Sequence, residues 1–98
     1  MMIVNVHKTP EGRKIVAICD KDVLGKVFTE KKIQLDLSSD FYKGEEKAKD
    51  EIKRIIVGAY ILNLAGENSV KLGIETGVIS GECVIKIANI PHAQAILL

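Results

Sequence analysis

The side chains able to do chemistry near neutral pH are few in this sequence, and two places stand out. The first is the C-terminal stretch IANIPHAQAILL, where a run of aliphatic residues opens to show Asn89, Pro91, His92 and Gln94. Imidazole titrates close to neutrality, so His92 can act as a base, a ligand or a hydrogen-bond reader. Asn89 and Gln94 add amide donors and acceptors, while Pro91 stiffens the turn and removes one backbone donor. The bland alternative is an edge strand from which His92 and Gln94 simply point outward. The second place is Cys19–Asp20, where an apolar run ends and a turn begins. Free backbone N–H groups at such a point can stabilise a thiolate. The competing reading is a core cysteine followed by a capping aspartate.

His7 shares a strand face with Asn5, and would approach His92 if the first and last strands were neighbours. Two histidines and two cysteines could in principle hold zinc, but their spacings match no structural zinc pattern, so no metal is expected. No nucleophile elbow, Gly-rich phosphate loop or H-E-x-x-H run occurs, and no cofactor is expected. Lys8, Arg13, Lys14, Lys31 and Lys32 flank the turns and could form a basic rim for phosphate contacts. Phe28, Phe41, Tyr42 and Tyr60 are the only aromatics, which provides poorly for stacking on bases.

These residues must be positioned by one compact unit. With 98 residues, 47% hydrophobic and 28% charged, the chain reads as a single globular domain over residues 1–98. A net charge of +1 exerts no global pull on nucleic acid or membrane. The start MMIVNVHKTP is too short an apolar run for a signal peptide and lacks a basic leader. The longest apolar block, IIVGAYILNLAG, falls well short of the ~20 residues that span a bilayer. A cytoplasmic protein with no membrane partner is expected, its Cys19 and Cys83 reduced and separate.

Period-two alternation in MIVNVHK and the doubly apolar KIVAICD, joined by TPEGR, predict a hairpin whose second strand is central. Asp20 is expected to cap a helical turn, KDVLG, that Gly25 ends. KVFTEKKIQLDLS predicts a second hairpin with Ile33, Leu35 and Leu37 facing inward. A stripe of Ala48, Ile52, Ile55, Ile56, Ala59 and Leu62 predicts a long helix over 45–65, with Asn63 interrupting its apolar end. A short helix over 68–76 precedes the strands CVIKIAN and HAQAILL. The class is α+β: a mostly antiparallel sheet of two N-terminal hairpins plus C-terminal strands, with one long and one short helix packed on one face.

Three runs, VAICDKDVLGKVF, NLAGENSVKLGIETGVI and VIKIANIPHAQ, in this order and at these separations, resemble a small archaeal family catalogued as domain of unknown function 424. The resemblance covers nearly the whole chain and is most specific at Pro91–Gln94, then at Cys19–Asp20 and the Asn63–Gly66 segment. It departs at Ala88–Asn89, where a glycine would be expected. It implies a cytosolic stand-alone domain, and supplies no catalytic roles. Its density at polar and turn residues favours a site around His92. The leading expectation is therefore a binding module that docks RNA, or a protein of the translation or RNA-processing machinery, through His92, Gln94, Asn89 and nearby lysines. One rival is a small enzyme with His92 as general acid or base beside Asp20 or Cys19. Another is a homo-oligomer that buries its C-terminal AILL against a second copy.

Overall fold

The computed structural model describes residues 1–97. The strands are β1 (Met2–Lys8), β2 (Lys14–Asp20), β3 (Val27–Glu30), β4 (Ile33–Asp36), β5 (Glu45–Lys47), β6 (Ala59–Ala65), β7 (Ile85–Ile87) and β8 (Ile90–Ile96). Two helices, α1 (Lys49–Ile56) and α2 (Glu67–Glu75), interrupt them. Six strands form one mixed sheet in the order β5-β1-β2-β6-β8-β7, and β3 and β4 pair as a separate hairpin. Only β2 and β6 run parallel; the other pairs are antiparallel. The α+β class and both N-terminal hairpins agree with the pattern of the sequence.

Alternation splits the sheet into two faces. On one, Val4, Val16, Ile18, Leu62, Leu64 and Ala93 meet Ile52 and Ile56 of α1 and Val70 and Leu72 of α2. On the other, Ala17, Cys19 and Ala65 pack under Leu35 and Leu37 of the hairpin segment and under Tyr42. β2 and β6 are thus covered on both sides, which is why KIVAICD and AYILNLA are apolar almost throughout.

The long helix expected over 45–65 does not form. Its first residues are β5, an edge strand on β1; its middle is α1; its end is the central strand β6. An all-round apolar run fits a buried helix end and a doubly covered strand equally well, and Gly58 at φ 80° breaks the helix between them. Lys47 pairs with Glu45 within β5 and with Glu51 of α1, so the second pair bridges the strand to the helix. Charge along β5 blunts the sheet edge. Ile33, expected inward, is 54% exposed at the hairpin tip, while Leu35 and Leu37 are buried as expected. In the C-terminal run, Ala95 and Leu97 pack against the helix-side core but Ile96 is 63% exposed; Leu98 lies outside the described residues.

β7 and β8 are joined by a tight turn in which Ala88 (φ 50°) and Asn89 (φ 67°) are both left-handed, as hairpin geometry of this twist demands. Asn89 tolerates that region; Ala88 does not. Replacing Ala88 by Gly is expected to stabilise the protein by about 1 kcal/mol, because relief of the left-handed strain outweighs glycine's chain entropy. Urea midpoints of the two proteins check it, and a lower midpoint for the glycine variant would refute it.

Candidate functional site

His92 occupies β8 opposite Ala65 of β6 and Ile85 of β7. Its side chain lies on the face away from the helices and is half-buried. Nδ1 donates to the Leu64 carbonyl at 2.9 Å, which fixes the neutral tautomer and leaves Nε2 as an acceptor. Nε2 has no partner among the described residues, and no buried side-chain nitrogen or oxygen is left unbonded, so it reaches solvent. Burial pushes the imidazole below the usual histidine range, and the bond to Leu64 opposes this in part.

The sign of the pH effect follows. A depressed folded-state pKa contributes stability that is complete above the unfolded value of about 6.5 and is lost as pH falls toward the folded one. Melting temperatures of the parent should therefore fall more steeply than those of His92→Asn on going from about pH 7.5 to about pH 5.5. Equal slopes would show that His92 titrates alike folded and unfolded.

The main-chain bonds around His92 define an open edge. Gly66 N–H donates to Pro91 O and Leu97 N–H donates to Tyr60 O, so the odd-numbered residues of β8 address β6. By strand alternation, His92, Gln94 and Ile96 direct their N–H and C=O groups to the opposite edge. β7 pairs only with Ile90–His92, so no strand of the described chain pairs with Gln94 and Ile96 on that side. Gln94 is exposed and its side chain shares a row with Asn63 on β6. Ile61 lies beside Ile96 one row further. Asn63 is the member of this surface that helical periodicity hides. Read with period two from Ala59, the same residues place it beside Ile61 on a strand face.

The other sequence candidates serve local structure. The Asp20 carboxylate is buried at the end of β2 and faces α2. It accepts from Asn68 N–H (2.9 Å), Ser69 N–H (2.8 Å) and the Ser69 hydroxyl (2.7 Å). It therefore caps α2, whose own N-cap residue Gly66 has no side chain, rather than the turn after β2. A Cβ on Gly66 would stand 2.4 Å from the Asp20 Cγ, so only glycine fits. Cys19 is fully buried, and its thiol is pushed up to about 12 by burial and by Asp20 and Asp22, the reverse of an activated nucleophile. Cys83 is exposed, and both cysteines are free.

His7 stacks on Phe41 with ring centroids 4.8 Å apart, and its Nε2 donates to the Phe41 carbonyl at 3.0 Å. Asn5 donates to Asp40 O at 3.0 Å. Together they hold the loop that covers Cys19. Asn89 is a turn residue. β2 and β6 separate β1 from β8, and four residues of register add to this, so His7 and His92 are roughly 20 Å apart rather than adjacent. Cys19 and His92 share a face with Ala65 between them, roughly 10 Å apart. His92 makes no hydrogen bond to Cys19, Asp20 or His7. Among the described residues no group of three or more His, Cys, Asp or Glu is placed to hold a metal ion. None of the helices in that range is long and apolar enough to cross a membrane.

No curated protein matches the sequence. The fold is similar to that in the "Crystal structure of an uncharacterized conserved protein from Methanopyrus kandleri", with a TM-score of 0.82 at 24% identity, covering 99% of this chain and 91% of that one. Residues 7–98 match the family described as "Protein of unknown function (DUF424)". From Cys19–Asp20 at the start of the α2 cap to Pro91–Gln94 on the open strand, the runs that carry the likeness fall within that match, and the chain belongs to DUF424.

Proposed function

We propose that this protein is a docking module that takes an extended segment of a protein partner along the outer edge of β8, with His92 and Gln94 reading the partner's side chains. The observation that carries the reading is the unpaired edge at Gln94 and Ile96, flanked by the solvent-facing Nε2 of His92. Strand addition supplies main-chain hydrogen bonds, and alternate side chains supply selectivity. Ile96 at 63% and Ile85 at 50% exposure add apolar contact on the same side. A protein is favoured over RNA because the aromatics are committed. Tyr42 is buried, Phe41 stacks on His7, and Arg13 lies over Tyr60 at 4.4 Å. Stacking on bases has no bare ring left except half-buried Phe28.

Gln94→Pro deletes an N–H that β6 does not use, and proline is tolerated on such an edge. That variant should melt within about 0.5 kcal/mol of the parent in stability, as surface changes do. It should lose a partner captured from nuclease-treated lysate of the native host, and His92→Ala should weaken the same capture. Salt-sensitive stabilisation by added RNA would instead favour a nucleic-acid surface. A concentration-dependent dimer abolished by Gln94→Pro would make a second copy the occupant.

A further inference from the structure

At the far end of the sheet from His92, where the β1–β2 turn, the end of α1 and the end of α2 converge, there is an open groove of about 910 Å³. Its floor is apolar, formed by Ile56, Val57, Val78 and Leu97, and Val57 stands 74% exposed there. The charged side chains lining it are all cationic: Arg13, Lys14 and Lys53, beside the neutral Tyr60 and Thr76, and no carboxylate side chain of the described residues lines it. Among the described residues none of these three cations has an acidic partner within salt-bridge distance. Glu75, the acid whose charge Lys53 feels, is already bound by Lys49 at 2.5 Å.

Two of the cations are held in place. The Arg13 guanidinium carbon lies over the Tyr60 ring, 4.4 Å from its centroid, a cation–π contact that holds the head group at the groove. Lys14 Nζ donates to the Val57 carbonyl at 3.0 Å, using one of its three donors. A strand-end groove with preset cations above bare aliphatic side chains is complementary to a ligand that is anionic at one end and apolar at the other. A single carboxylate would leave most of the positive charge unanswered. A phosphomonoester, near two negative charges at neutral pH with three acceptor oxygens, answers it and matches the arginine fork.

We propose that this groove binds a small organic phosphomonoester, its phosphate held by Arg13, Lys14 and Lys53 and its apolar body on Ile56, Val57 and Val78. The site is independent of the β8 edge: none of its lining residues belongs to the docking surface described above.

Naphthyl phosphate serves as the probe, titrated into the full chain by calorimetry and by amide chemical-shift mapping, with inorganic phosphate and naphthol as controls. It should bind at least about tenfold more tightly than either control, because each control satisfies only half of the groove. Shifts should centre on Gly58, Tyr60 and Gly77. The double variant Arg13→Ala/Lys53→Ala changes exposed side chains, so it should keep the parent's melting temperature and lose about tenfold or more in affinity. His92→Ala should bind the probe as the parent does.

Inorganic phosphate binding as tightly as the probe, no binding at millimolar concentration, or a double variant that melts normally and binds unchanged would each overturn the proposal. So would displacement of the probe by a short oligoribonucleotide at lower concentration, which would assign the cations to a nucleic-acid backbone. Loss of probe binding in His92→Ala would overturn the independence of the two sites. Failure of the lysate capture leaves the groove unaffected.

Discussion

Removing residues 95–98 is expected to cost about 4 kcal/mol or more, enough to unfold a domain whose whole stability lies near 5–15 kcal/mol. Ala95 pairs with Leu62, Ile96 with Ile61, and Leu97 N–H donates to Tyr60 O, so the deletion strips one edge of the central strand β6. Ala95 and Leu97 also pack against the core on the helix side, where Leu62 has no exposed surface. A buried leucine contributes roughly 1.5–3 kcal/mol, and each lost main-chain bond about 1 kcal/mol. The truncated protein should be insoluble or melt far below the parent. Leu97→Ala keeps the ladder and should lose about 2 kcal/mol, giving a measurable intermediate. An unchanged melting temperature after truncation would show the run to be a tail.

Asp20→Ala is the next largest effect, an expected loss of about 3 kcal/mol. Three donors converge on this carboxylate, and two of them belong to Ser69, which has no exposed surface. The substitution orphans the first-turn N–H groups of α2 and a buried hydroxyl, and removes a negative charge from the positive end of that helix. Asp20→Asn retains an acceptor oxygen and should lose about half as much. Ser69→Ala in the Asp20→Ala background should cost little further, since the hydroxyl has already lost its acceptor. Urea unfolding with unchanged slope measures all three. A loss below about 0.5 kcal/mol for Asp20→Ala would mean that water caps the helix as well as the aspartate does.

The cap also shows why the Cys19–Asp20 pair invites a catalytic reading. A buried carboxylate next to a thiol has the composition of an active site, and its structural use becomes visible only through partners 48 and 49 residues further along the chain. Strand alternation sends the two neighbours to opposite faces, the thiol beneath Tyr42 and the carboxylate to α2. Asn5 and His7 follow the same logic. Their side chains look available until residues 40 and 41, brought over the sheet by the hairpin, supply carbonyls for them.

Features that depend on near neighbours were legible along the chain. Alternation in β1, the double-sided apolar run of β2, the β3–β4 hairpin and the span of α2 are set by side-chain period and turn residues. That a strand carries His92 and Gln94 was also legible, but Pro91, read as the turn before it, lies buried within β8, and the turn falls at Ala88–Asn89. Long-range pairing makes IVGAYILNLA leave the helix before Gly58 and become the strand between β2 and β8. Local preference is too evenly balanced there. Burial on both faces satisfies either conformation, and the bonds that favour the strand come from residues more than twenty-five positions away on either side. The separation of His7 from His92, the company of Asn63 and Gln94, and the unpaired edge of β8 all follow from that one choice. Strand order is a property of distant pairings, and periodicity along a chain carries no record of it.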